Sequence, residues 1–227
     1  MVRVKICGLA HLEDALLAAE AGADLLGFVF YAKSPRCVAP QFVRQIIARV
    51  KSDWPQVACV GVFVDERVGF VSDVMGFCGL DRAQLHGRET PASVSLFQGR
   101  AYKAIRPQTI VEAMTSMAQY APPGSPPDLL VDAYDPKAPG GTGQRGDWDL
   151  AARIAARRKI LLAGGLSPDN VAEAIRRVRP WGVDVSSGVE ASPGRKSPEA
   201  VRAFIAAARN AGAALGAGQT NQTGGKP

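Results

Sequence analysis

The chain has 227 residues, 47% of them apolar and 21% charged, with a net charge of +6 and a pI near 9.4. That balance is globular and excludes a disordered or collagen-like chain. No apolar run approaches the roughly 20 residues that span a bilayer, and four scattered cysteines with no CxxC pair exclude a disulfide scaffold or a zinc ribbon.

Short β-branched runs alternate with longer Ala-, Leu- and Arg-rich segments. Met1–Lys5 already alternates like a strand, not a leader peptide, so a cytoplasmic protein is expected. Strands are predicted to begin near Val2, Asp24, Val57, Asp81, Ala101, Asp128, Lys159 and Gly182, a mean spacing of about 26 residues that suits a strand, a helix and two loops. Val57–Val64 and Lys159–Ala163 are almost wholly apolar, as strands buried on both faces are in parallel sheets. The first helix, Leu12–Ala21, carries Leu12, Leu16 and Ala19 as its expected buried stripe. Ser167 and Pro168 read as N-cap and first helical residue of a helix continuing through Asn170–Arg179. Ser197-Pro198-Glu199 repeats that signal before a last helix, Glu199–Arg209. Met75–Leu80, rich in Gly, Phe and Cys, suggests no chemistry. Beyond Asn210 there is little to bury, so residues 1–211 are predicted to form one domain and 212–227 a tail without fixed structure.

Eight strand–helix units in about 210 residues fit a single (β/α)8 TIM barrel, with an open doubly wound sheet as the rival α/β fold. In such a barrel the active site lies at the C-terminal ends of the strands. There the sequence places Lys5-Ile6-Cys7-Gly8, Ser34-Pro35-Arg36, Gln84-Leu85-His86-Gly87, Leu130-Val131-Asp132, Ala163-Gly164-Gly165 and Asp184-Val185-Ser186-Ser187-Gly188. A thiol, an arginine, a histidine and two carboxylates thus converge on one mouth. The turns after strands seven and eight bear small residues that admit an anion to backbone N–H groups. Gly164, Gly165, Ser186, Ser187 and Gly188 are therefore candidates for holding a phosphate.

These segments, with Gly22-Ala23-Asp24, Gly27-Phe28, Gly61-Val62-Phe63-Val64, Gly140-Gly141-Thr142-Gly143 and the continuation through Val189-Glu190, resemble the phosphoribosylanthranilate isomerase family. The resemblance covers all of the chain but the tail. It implies a (β/α)8 barrel without a cofactor or metal that performs an Amadori rearrangement in tryptophan biosynthesis. An acid opens the ribose ring to a Schiff base; a base then removes the C2′ proton. By similarity Cys7 is the base and Asp132 the acid. Cys7 would need stabilisation as a thiolate, and partial burial would help Asp132 keep its proton. Arg36 is expected to bind the anthranilate carboxylate. Asp184 is expected to orient the amino group or the ring-opened sugar, His86 to line the site and Gly141 to belong to a glycine-rich lid over the phosphate end. Where the family commonly has a Lys-Asp pair before the last helix, this chain has Lys196-Ser197, and Ser can cap that helix.

Gly141, Gly143 and Gly146 form a GxGxxG match, but its strand ends near Asp132, too early for a dinucleotide site. Another phosphate-binding barrel enzyme of sugar-phosphate metabolism is the nearest alternative; a pentose-phosphate epimerase of that kind would need more metal ligands than two histidines supply. An RNA-binding module is the second alternative, weakened by the lack of aromatics among the basic residues, whose clusters sit at predicted helix ends. The expected partner is a small phosphorylated substrate, with no nucleic acid or membrane, and the chain is expected to act as a monomer or homodimer.

Overall fold

A computed structural model describes residues 1–120, 126–132 and 148–220. Eight parallel strands close into a barrel: β1 (Arg3–Ile6), β2 (Leu25–Val29), β3 (Ala58–Phe63), β4 (Arg82–Leu85), β5 (Ala101–Ile105), β6 (Leu129–Asp132), β7 (Ile160–Ala163) and β8 (Gly182–Val185). Every strand starts within one residue of its predicted start. The ring closes where β8 pairs with β1, Arg3 opposite Gly182 and Ile6 opposite Val185, so the doubly wound alternative does not stand. Helices α1 (Leu12–Glu20), α2 (Pro40–Asp53), α3 (Val68–Cys78), α4 (Pro91–Ser95), α5 (Ile110–Tyr120), α6 (Trp148–Ala155), α7 (Val171–Val178) and α8 (Pro198–Thr220) surround it. After β8 come a single 3-10 turn (Ser187–Val189) and a small hairpin of β9 (Glu190–Ser192) and β10 (Arg195–Lys196). The main core lies between strands and helices, while Leu25, Val60, Tyr102, Leu130 and Leu161 fill the barrel's inside.

The aspartates that mark three strand starts have a physical task. Asp24, Asp81 and Asp128 precede β2, β4 and β6, and their carboxylates accept the backbone N–H of Val4, Cys59 and Lys159 at 2.8, 2.7 and 3.0 Å. Each satisfies a donor on or just before a neighbouring strand at the barrel's N-terminal face, where an unpaired group would be costly. Asp24 also pairs with Arg3 and with Arg209 of α8, tying the first strand to the last helix.

Three local expectations are corrected. The buried face of α1 is Asp14, Ala15, Ala18 and Ala19, with Leu12 exposed. Small alanines let this short helix lie close to the barrel, and the Asp14 carboxylate accepts the backbone N–H of Lys196 at 3.0 Å. Helix α7 begins at Val171, not at Pro168. Asn170 holds the preceding turn instead: its Oδ1 accepts from Ser167 N at 2.9 Å and its Nδ2 donates to Gly165 O at 2.9 Å. Helix α8 runs on from Arg209 to Thr220, into the expected tail. Ala211 is buried, Leu215 packs against the core, and Gly212 lies so close to Val2 that a Cβ there would sit 3.0 Å from its side chain. An alanine-rich segment needs only this narrow contact to stay helical. Residues 221–227 lie outside the described residues. Ser197 does cap α8, its Oγ accepting from Ala200 N at 3.2 Å. Met75–Leu80 is the end of α3 and its exit, with Phe77 exposed under the Arg44 guanidinium at 5.1 Å.

Candidate active site

A cavity of about 530 Å³ opens at the C-terminal end of the barrel, a size typical of small-molecule sites. Cys7, Arg36, His86, Asp132, Asp184, Gly164, Gly165, Ser186, Ser187 and Gly188 all line it, so ten of the eleven residues singled out in the sequence meet at one place. The eleventh, Gly141, lies outside the described residues, as does the GxGxxG match.

Cys7 follows β1 and is 7% exposed. The neighbouring strand β2 makes room for it at Gly27, where a Cβ would stand 2.7 Å from Sγ. Lys5 lies two residues earlier on the same side of the strand. It is completely buried, and its Nζ donates to Asp184 Oδ1 and to Gln84 Oε1, both at 2.9 Å. Burial works against the Lys5 charge, but the paired Asp184 carboxylate and the other groups around it together hold the ammonium above its ordinary range. For Cys7 the balance runs the other way from the sequence expectation. Burial pushes the thiol up, Asp184 adds to this, and Lys5 and Lys196 offset only part of it.

Arg36 reaches the mouth from the loop after β2. The turn at Gly8 allows this: its φ is +73°, and a Cβ there would meet Arg36 Cδ at 2.5 Å. The guanidinium is not open, however. Its Nε and Nη2 donate to the two oxygens of Glu190 at 2.7 and 2.6 Å, a bidentate pair. Lys196 braces the same carboxylate, donating from Nζ to Glu190 Oε1 and to Ser186 O, both at 3.0 Å. Burial works against the Glu190 charge, but Arg36 and Lys196 hold its carboxyl below the usual range. Arg36 Nη1 has no hydrogen-bond partner among the described residues, and that edge remains for a ligand.

Across the mouth, Asp132 ends β6. Its Oδ2 accepts from Arg106 Nε at 2.7 Å, and Arg106 Nη2 lies 2.7 Å away. Partial burial was expected to help Asp132 keep its proton; the side chain is largely buried and lies against the Arg106 guanidinium. His86 follows β4, with Nε2 3.8 Å from Asp132 Oδ2. The loop bearing His86 is pinned below by Lys103, which donates to Leu85 O and Gly87 O at 3.1 and 2.7 Å and pairs with Glu89. Among the described residues no group of three His, Cys, Asp or Glu side chains could hold a metal ion.

A family model described as N-(5′-phosphoribosyl)anthranilate (PRA) isomerase matches residues 4–207. The chain belongs to the phosphoribosylanthranilate isomerase family. An N-(5′-phosphoribosyl)anthranilate isomerase of Citrifermentans bemidjiense is 50% identical over 209 residues, covering 92% of this chain and 98% of that protein. The isomerase of Geobacter sulfurreducens is 48% identical over 209 residues, covering 92% and 99%. The crystal structure of phosphoribosyl anthranilate isomerase from Thermotoga maritima superposes with a TM-score of 0.82 at 40% identity, covering 92% of this chain and 100% of that one. A phosphoribosyl anthranilate isomerase solved in complex with reduced 1-(o-carboxyphenylamino)-1-deoxyribulose 5-phosphate matches at a TM-score of 0.78 and 38% identity, covering 92% and 100%.

Lys5, Gln84, Arg106, Glu190 and Lys196 were not singled out as site residues by sequence reasoning. For Lys5 and Gln84 a signal existed. Each stands two positions before a candidate, Cys7 and His86, and therefore on the same side of its strand. Arg106 also stands at a strand end, after β5. Glu190 and Lys196 stood in segments that resemble the family's, but no strand spacing set them at the mouth.

Proposed function

We propose that this chain converts N-(5′-phosphoribosyl)anthranilate to 1-(o-carboxyphenylamino)-1-deoxyribulose 5-phosphate, an internal redox isomerisation in tryptophan biosynthesis. The supporting observation is that a thiol and a carboxyl face one cavity that is also lined by the half-buried Arg36 and two glycine turns. Asp132 as acid protonates the ribose ring oxygen, and the ring opens to a Schiff base between C1′ and the anthranilate nitrogen. Cys7 as base removes the C2′ proton, giving an enolamine that tautomerises to the ketone. Atoms and electrons balance: C1′ is reduced and C2′ oxidised within one molecule. The turns at Gly164–Gly165 and Ser186–Gly188 hold the phosphate, Asn170 bracing the first of them through Gly165 O. Arg36 meets the anthranilate carboxylate through Nη1, with Glu190 fixing the plane of its guanidinium. Asp184 orients the sugar from beside Lys5.

In the free protein burial favours the protonated thiol of Cys7, and the Arg106 guanidinium lies against Asp132. The active form needs Cys7 without its proton and Asp132 with one, and Arg106 must turn away for the carboxyl to hold it. Arg106 is free to do so, with 59% of its side chain exposed. The isomerase of Thermotoga maritima is described as dimeric, and the reading is the same for a monomer or a homodimer here. The test is to mix the purified chain with N-(5′-phosphoribosyl)anthranilate, without added metal or cofactor, and follow anthranilate fluorescence. Catalysed decay supports the reading; decay no faster than without protein overturns it.

A further inference from the structure

Two contacts to the His86 ring make demands that it cannot meet together. Gln84 Nε2 lies 2.9 Å from Nδ1, and Arg106 Nη2 lies 3.1 Å from Nε2. An amide nitrogen and a guanidinium only donate, so each asks the ring nitrogen it faces to be bare. A neutral imidazole has one bare nitrogen and one N–H, and an imidazolium has none bare. One contact must give way.

The choice is decided one layer deeper. Turning the Gln84 amide over would put its oxygen on His86 Nδ1, but it would also set the NH2 group against Lys5 Nζ. Lys5 is completely buried, holds its charge beside Asp184 and has nothing to accept with. In the orientation observed, Gln84 Oε1 accepts from both Lys5 Nζ and Tyr102 OH, at 2.9 and 3.1 Å. Two buried donors thus fix the amide, whereas the opposing Arg106 stands mostly in solvent. The cheap movement is that of Arg106.

We infer that Gln84, locked by Lys5, is a positioning residue that fixes His86 as the neutral tautomer bare at Nδ1 and protonated at Nε2, with that proton directed toward Asp132. The donor chain runs Lys5 to Gln84 to His86 and crosses the barrel from β1 through β4 to the end of β6. Its outcome is a donor facing Oδ2 of Asp132 when Arg106 departs. That makes Oδ2 the oxygen that faces the His86 donor. Neutral His86 thereby replaces a mobile external cation with a fixed neutral donor, which lets the carboxyl act as an acid. This bearing on catalysis rests on the isomerase reading. The tautomer itself does not, and it is measured without substrate.

The experiment is nitrogen NMR of the 15N-labelled, ligand-free chain, recording two-bond couplings within the imidazole rings. The chain has only two histidines, so His11→Gln assigns the remaining signals to His86. The expected spectrum has Nδ1 at the position of an unprotonated nitrogen and Nε2 at that of a protonated one. Gln84→Glu puts a carboxylate oxygen against Nδ1 and is expected to move a proton there, with kcat falling tenfold or more and KM changing less. A wild-type ring protonated at Nδ1 overturns the inference, as does a Gln84→Glu ring that keeps Nδ1 bare. If the variant fails to fold, the wild-type spectrum alone decides. Isomerase turnover is scored separately, so the two readings fail independently.

Discussion

Lys5→Met removes the charge at the centre of the site while roughly keeping its volume. Lys5 is entirely buried and Asp184 nearly so, and the pair is joined at 2.9 Å. Methionine would leave the Asp184 carboxylate buried without its cation and Gln84 Oε1 without its charged donor. Breaking one side of a buried pair costs about 3–5 kcal/mol. Against a total stability of roughly 5–15 kcal/mol, that is a large fraction. At about 2–4 °C per kcal/mol for a domain of this size, the midpoint should fall by about 6–20 °C. Thermal and urea unfolding followed by circular dichroism at neutral pH measure it. Lys5→Met combined with Asp184→Asn removes both charges and should recover a substantial part of the loss. A Lys5→Met protein within about 1 kcal/mol of wild type would refute the reasoning, because the pair would then be hydrated or absent.

Two further outcomes follow from the geometry. Arg36→Met should raise KM roughly tenfold to hundredfold, the worth of a hydrogen bond to a charged group, with a smaller effect on kcat; steady-state kinetics with an unchanged KM would remove Arg36 from substrate binding. Because the reaction needs one group as base and the other as acid, kcat/KM should follow a bell rather than rise steadily with pH. The sign is fixed by proton count: the active form has one proton shared between the two groups, so activity is lost when that proton leaves Cys7. Burial pushes the thiol above its ordinary 9.0, so the alkaline fall should begin above pH 9.0, and an earlier fall assigned to Cys7 would contradict this.

Much of the barrel was legible because each strand is a short apolar run bounded by a polar punctuation mark. Asp24, Asp81 and Asp128 are visible in the sequence for the same reason they matter in the fold, as acceptors at strand edges. Cys7, Arg36, His86 and Asp132 could be placed at one mouth because a barrel brings the ends of all its strands together. The pairings were not legible. Lys5 and Asp184 are 179 residues apart and Arg36 and Glu190 are 154 apart, and closure of the ring joins both pairs. Nor does composition tell that Glu190 would fill the fork of Arg36, or that Arg106 would sit on Asp132. The buried face of α1 was misjudged because leucine outweighs alanine in apolar patterning, whereas close approach to the barrel favours the smaller side chain. For α8, a run of Ala and Gly reads as slack chain until Val2 is seen against Gly212.

The central claim is that Cys7 takes the C2′ proton and Asp132 supplies the proton that opens the ring. The most direct measurement is the turnover of N-(5′-phosphoribosyl)anthranilate by Cys7→Ser and by Asp132→Asn, each checked for an unfolding midpoint close to wild type. Each folded variant should lose at least about 10²-fold in kcat, the usual contribution of a positioned acid or base. A folded variant of either kind that turns over near the wild-type rate would contradict the account.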